Sequence, residues 1–579
     1  MSRQMASVAT QLAELERVLP TVPAQPSYPT PVFIPPQPAP PVPYPQYAPP
    51  PAPPGPSLAA RFSAAAERGL IGKLLAVAGV AVTLVGVVLL VVLAAQAGIL
   101  RPEIRVGAGA LLAAGLVAIA GWLNRRAGGR IGAIALAATG IAAAYIDVIA
   151  VTTIYHWVAP AVSLIIASVI GGGGLVLARR WDSEQLGLLV LVPLIVLAPI
   201  VTDGITLTLV AFMLALSAVS LPVQLGKDWV WMHAARTAAV TLPLLLALLI
   251  NRVVTGDDPW LIGAACGIGA ALAIVGALIL IPWITKRVAM ALVTVAGVLP
   301  ALAAGVAAGR ILAALLAAAV AVSLLAVVVT DRFPGVNGPV RQIWSALSAV
   351  SALIAVTVAF DGLVAGPVLL GMALVVTVAG RQHHVARWAA IGFAIVGLAF
   401  FLSSAPPVYL IHPTELATPV AVSTLAASVL LTAVSVAIAW SWATTETAGE
   451  RALEDRARWL LAAAIAVTAY CVTTFTVTAG VLAAGRGGGF LAGHMAATIC
   501  WIAIAAALFG YALRIQCRTA RTAPIAGGLA LTAAATVKLF LFDLGTLDGL
   551  FRVLAFIVVG LALLAMGSGY ARSLAQQDR

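Results

Sequence analysis

The chain has 579 residues, of which 62% are hydrophobic and only 9% charged, with a formal net charge of +12 and a mean hydropathy of +1.07. Soluble globular proteins carry about 25% charged residues, so this composition excludes a water-soluble enzyme, and it holds too much apolar surface for a disordered regulator. No basic segment is interleaved with aromatics, so the positive charge points to membrane topology and not to nucleic acid, and the four cysteines are too widely spaced for a disulfide framework.

Residues 1–19 are polar with a weak helical period, and Leu12, Leu15 and Leu19 line one face of a short amphipathic or coiled-coil helix. No apolar run follows a basic start, so a cleavable signal peptide is not expected. Residues 20–56 contain 18 of the 35 prolines and read as an extended, disordered tether. Its tyrosines, Tyr28, Tyr44 and Tyr47, leave two readings open: a stiff spacer, or a docking strip for a cytoplasmic proline-reading adaptor. Residues 57–69 read as an interfacial helix, with Ser57 at the N-cap and Leu58 and Phe62 toward lipid.

Residues 70–572 are read as an all-α, polytopic membrane bundle, followed by a polar tail at 573–579. Apolar runs occur at 74–94, 105–123, 131–152, 159–178, 185–202, 205–225, 232–250, 260–284, 288–308, 311–330, 342–360, 362–380, 388–404, 418–441, 459–482, 489–512, 524–542 and 549–570. Each is close to the roughly 20 residues that cross a bilayer. The expectation is therefore 16 to 18 transmembrane helices. Placing the N-terminus in the cytoplasm and alternating through 18 spans puts 26 of the 33 basic residues inside, 6 outside and Lys538 within a span. Such a bias is the positive-inside signal, and it predicts both termini in the cytoplasm. The excess of Arg over Lys, with Ala and Val dominant among the apolar residues, suggests a GC-rich bacterial genome and hence a bacterial inner membrane.

The two ends of the bundle carry recognisable patterns. IGKLLAVAGVAVTLVGVVLL (71–90) with GILRPEIRVGAGALLAAGL (98–116) resembles the opening of a bacterial family of predicted membrane proteins, domain of unknown function 2339. VKLFLFDLGTLDGLFRVLAFIVVGLALLAMG (537–567) is similar to that family's closing hairpin, with its K-x-F-x-x-D and G-x-x-R pattern. The resemblance implies a multispan fold behind an N-terminal helix and proline-rich tether. It implies no activity. At the end of the first span, LLVVLAAQAG (89–98) has fewer polar and aromatic residues than the family pattern.

Ionisable groups inside a bilayer are costly, about 2.5–3.5 kcal/mol each on insertion scales, and are suspects for function or for structural pairing. Lys538 lies well inside the span 524–542, with Asp543 five residues on; five residues turn an α-helix by about 500°, so the two are not expected on one face. Asp548 and Arg552 are four apart and suited to pairing on one helical turn. These four residues around one hairpin read either as an ion-pair lock or as a proton- or anion-handling site. Asp147 has no basic residue in reach on its own helix, so a salt bridge to Lys538 is predicted, with an aqueous vestibule as the alternative. In the loops, Glu103 sits between Arg101 and Arg105, and Tyr409, His412 and Glu415 lie on the longest outer loop. They read either as solvated loop polarity or as acid–base and lipid-phosphate groups. His494 with Cys500, and the pair His383 and His384, lack zinc-ligand spacing, so no metal or cofactor is expected. The glycine run 171–174 predicts close helix approach or a break, and Pro193, Pro199, Pro222, Pro243, Pro282 and Pro300 predict kinks or stops.

Three functions are compatible with these features: transport or handling of lipids and envelope precursors, a membrane-embedded transferase using a lipid-linked donor, and a scaffold acting through the proline-rich tail. Membrane lipids are the expected partners in each case. Short loops and the absence of phosphate-loop, G-x-S-x-G and H-E-x-x-H motifs weigh against an enzyme.

Overall fold

The structure is a computed structural model and describes residues 101–126, 129–250, 259–330, 332–445, 451–515, 518–543 and 553–564, with positions 82, 86 and 545 in isolation. Every regular element among them is a helix, as high apolar content demands where no water is present to satisfy the backbone. In chain order these are α1 (Pro102–Asn124), α2 (Arg130–Ile149), α3 (Pro160–Arg180), α4 (Glu184–Val201), α5 (Leu207–Gln224), α6 (Val230–Ile250), α7 (Pro259–Leu280) and α8 (Arg287–Ala303). Then follow α9 (Arg310–Thr330), α10 (Gly338–Ala359), α11 (Gly362–Ala379), α12 (His384–Ser404), α13 (Thr418–Thr445), α14 (Arg451–Ala484), α15 (Phe490–Arg514), α16 (Arg518–Lys538) and the shorter α17 (Val553–Leu564).

Among the described residues, fifteen helical stretches are long and apolar enough to cross a membrane, and one of them, Ala462–Arg514, is 53 residues long. A straight helix of that length would measure about 80 Å, against a hydrocarbon core of about 30 Å. It folds back at Gly485, whose φ of +74° favours glycine, and α15 returns along α14. Its two arms therefore make α1 to α16, among the described residues, sixteen helices of membrane-spanning length. They coincide with the predicted runs from 105–123 to 524–542. The run 549–570 is described only as α17, and the run 74–94, the helix at 1–19, the tether at 20–56, the interfacial helix at 57–69 and the tail at 573–579 lie outside the described segments.

The sixteen helices fall into eight consecutive hairpins. Within each, from α1–α2 to α15–α16, the two helices pack together more extensively than either does with its next neighbour along the chain. The turns that close these hairpins are the ones carrying the basic clusters, such as Arg125 and Arg126, Arg179 and Arg180, and Lys286 and Arg287. These residues are tied across one face. Arg130 donates to the carbonyls of Trp181 and Asp182 at 2.7 and 2.9 Å. Arg179 reaches the carbonyls of Pro222, Val223 and Leu225 at 2.7–3.1 Å, which satisfies the free acceptors at the end of α5. Lys227 pairs with Asp182 at 2.7 Å, and the Glu184 carboxylate accepts from the first free amides of α6, Trp231 and Met232. At the opposite end, Arg310 pairs with Asp361 at 2.7 Å and Arg486 with Glu415 at 3.2 Å. Loops predicted to share a side thus meet one another.

The glycine run does not break α3. Instead, Gly171 and Gly174 let α2 and α4 approach so closely that a Cβ would fall 2.8 Å from the Tyr145 hydroxyl or from Ile141 Cδ1. Helical assignment continues through Pro193, Pro199, Pro222, Pro243 and Pro300, whereas Pro282 sits in the 3₁₀ turn that ends α7.

Candidate functional site

Lys538 does not pair with Asp147. Its ammonium donates to Asp543 Oδ1 at 2.6 Å, to Thr498 Oγ1 at 2.7 Å and to the His494 carbonyl at 3.2 Å. Thr498 Oγ1 in turn lies 2.6 Å from Asp543 Oδ2. Asp543 is fully buried, and the Lys538 side chain is 10% exposed. The expectation that residues five apart would diverge fails because Leu539–Asp543 form a π-helical turn. A π turn closes i to i+5, so it returns the fifth residue to the face of the first. Beside the pair, the His494 ring lies between Phe490 and Phe542 with centroids 4.6 and 4.8 Å away. The cluster is closed by apolar packing of Leu539, Ile502, Ala555 and Val559. Asp548 and Arg552 lie outside the described residues.

The outer-loop candidates are only partly brought together. Tyr409 and Glu415 line a cavity of about 320 Å³ against α14, with Glu415 held by Arg486. His412 is exposed and is not part of its lining, so no His–carboxylate pair forms. Glu103 is exposed in the first turn of α1 and makes no hydrogen bond or ion pair among the described residues. His384 Nε2 accepts from Trp388 in its turn, and Cys266 and Cys471 are buried packing residues. No group of three metal-ligating side chains occurs among the described residues.

Asp147 stands at a larger feature. α1 and α3 both rest on α2, and between them lies a cavity of about 790 Å³. Its walls are apolar or glycine, from Val106 and Val151 at one end to Ala118 and Leu177 at the other, and Ser163 adds one hydroxyl. Asp147 is the one ionisable residue in that lining among the described residues. Its carboxylate reaches α1 only because position 109 is glycine: a Cβ there would fall 2.4 Å from Asp147 Oδ1. Among the described residues, Oδ2 is inaccessible to solvent and has no hydrogen-bond partner. Along α3 the cavity runs from Ser163 to Leu177, about 21 Å at 1.5 Å per residue, which exceeds one leaflet's share of the hydrocarbon core.

Sequence reasoning missed one buried centre. Arg236, counted among the inner topogenic charges, is 1% exposed in α6. It contacts the Ser217 carbonyl at 3.2 Å and His233 Nδ1 at 2.8 Å, with no acid in its bonding set. Gly276 makes room for it, since a Cβ there would lie 2.4 Å from the guanidinium. The signal was its depth: Arg236 falls two turns into the helix and not at its mouth.

A family model described as a predicted membrane protein matches residues 72–391 and 362–572. No curated protein and no solved structure matches the chain.

Proposed function

The chain belongs to the predicted membrane protein family DUF2339, and from that membership and the geometry we propose that it handles an amphiphile, a lipid or lipid-linked envelope precursor, in the groove between α1, α2 and α3. The observation that carries this reading is a long apolar groove with one carboxylate near one end, that of Asp147, whose Oδ2 has no hydrogen-bond partner among the described residues. A lipid tail leaving the bilayer for an apolar groove gains little hydrophobic energy, because lipid is as apolar as the wall. It also loses little, so tails of many kinds fit. Selection then rests on the head group. A buried carboxylate oxygen without a partner is stabilised by a donor, so Asp147 favours an amine or hydroxyl in the ligand's head.

Transport or carriage is favoured over transfer chemistry because Glu415 is committed to Arg486 and His412 stands apart. Placement in a bacterial inner membrane, with basic turns and both termini in the cytoplasm, belongs to the same proposal and rests on the charge bias. So does recruitment of a cytoplasmic partner by the proline-rich tether.

The test is photo-crosslinking with a diazirine-tailed lipid in native membranes. Gly173 lines the groove and a Cβ there meets nothing within 4 Å, so Gly173→Leu fills the space without disturbing packing. Labelling of α1–α3 should fall at least about tenfold in Gly173→Leu, and Asp147→Asn should change head-group preference while leaving tail labelling intact. Labelling insensitive to Gly173→Leu, or cross-links from the groove to residues 74–94 of the same chain in place of lipid, would refute it.

A further inference from the structure

The cavity against α14 has a lining unlike that of the groove. We propose that it binds an uncharged, hydroxyl-rich group, a glycosyl or polyol moiety, at the membrane face opposite the basic turns. Its volume of about 320 Å³ is at the small end of the range for ligand sites. One wall is a stripe of hydroxyls: Thr474 and Thr478, one helical turn apart on α14, face Tyr409 from the α12–α13 loop. The same face of α14 also carries Val477, Val481 and Leu482, interleaved with the threonines, and Ala405, Pro406 and Leu410 line the cavity from the loop side.

The hydroxyls have capacity to spare. Tyr409 and Thr478 make no side-chain hydrogen bond among the described residues, and Thr474 donates to the Tyr470 carbonyl at 2.9 Å. Glu415 is the one acidic or basic residue in the lining among the described residues, and Arg486 pairs with it at the rim.

The match to ligand class follows by elimination. A charged ligand would leave water for a site with no uncompensated opposite charge. A bare alkyl chain would strand the hydroxyls without partners. A sugar offers hydroxyl edges to the threonine stripe and C–H faces to the valines. The same chemistry occurs in a free saccharide and in the head of a glycolipid, and the experiment separates these sources.

The full-length protein in nanodiscs is followed by hydrogen exchange over residues 405–416 and 474–485. Free glucose and maltose are compared with nanodiscs containing a diglucosyl diacylglycerol, and with nanodiscs in which phosphatidylglycerol replaces it. The proposal expects protection in both segments from one of the sugar probes. A response to soluble sugar identifies a free saccharide, and a response confined to the glycolipid identifies a lipid-linked head. Tyr409→Phe should raise the half-saturating concentration about tenfold, equivalent to about 1.4 kcal/mol, and Thr478→Trp should abolish the response by filling the site. The neutralised pair Glu415→Gln with Arg486→Gln should retain it. No protection by any sugar probe, equal protection by phosphatidylglycerol, or loss of the response in the neutralised pair would overturn the proposal.

Discussion

Replacing Lys538 by Met removes the cation and keeps most of the side-chain volume. Asp543 is then left fully buried, with only the Thr498 hydroxyl at 2.6 Å to hold it. Breaking one side of a buried ion pair costs about 3–5 kcal/mol, or between two and four powers of ten in the folding equilibrium. Replacing both partners, Lys538→Met with Asp543→Leu, removes the stranded charge along with the pair. Such apolar replacements are commonly neutral or stabilising, so the double variant should recover to within about 1 kcal/mol of the parent. The coupling is measured by a double-mutant cycle, using reversible denaturant unfolding in mixed micelles. Neutral side-chain hydrogen bonds in membranes couple by at most about 1.7 kcal/mol. A value below that limit, or additive losses from the two substitutions, would show that the pair is not the lock its geometry describes.

Further substitutions test other contacts. A Cβ at Gly489 would fall 2.2 Å from the Gly480 carbonyl oxygen, so Gly489→Ala should destabilise the α14–α15 hairpin by about 1–3 kcal/mol; Gly487→Ala, where a Cβ meets nothing within 4 Å, is the control in the same thermal-aggregation assay. Gly276→Ala should destabilise through Arg236, and Arg236→Met should rescue it; failure of rescue in the same assay would mean that the guanidinium is not the obstacle. Arg179→Ala removes three bonds to carbonyl acceptors and should cost about 1.5–3 kcal/mol as the loss of charge-assisted bonds, read by unfolding in micelles. Gly109→Ala should displace the Asp147 carboxylate, detected as a changed rate of carbodiimide labelling at that residue.

The span pattern was legible because each crossing is a continuous apolar run closed by a turn, and the arginines at alternate turns supply an independent check. Depth and pairing were harder. Arg236 resembles a loop arginine in a one-dimensional charge count, and only packing against Ser217 and Gly276 shows it to be buried. The partner of Lys538 was misjudged because a regular 3.6-residue period was assumed across Leu539–Asp543, where the chain adopts a π turn. Asp147 stands out in the sequence by its isolation on α2. Its surroundings were not legible, since the groove is formed by glycines and alanines on three helices whose spacing leaves no trace in hydropathy.

The hairpin arrangement bears on how the protein is made. Each pair closed by a basic turn makes its own interhelical contact as soon as its second helix is complete, with no need to wait for distant sequence. Insertion can therefore proceed two helices at a time, each hairpin closing on its own turn. Contacts between units are then made laterally in the bilayer. A defect within a hairpin should halt biogenesis early, whereas a defect between hairpins should yield a chain that is inserted but not assembled.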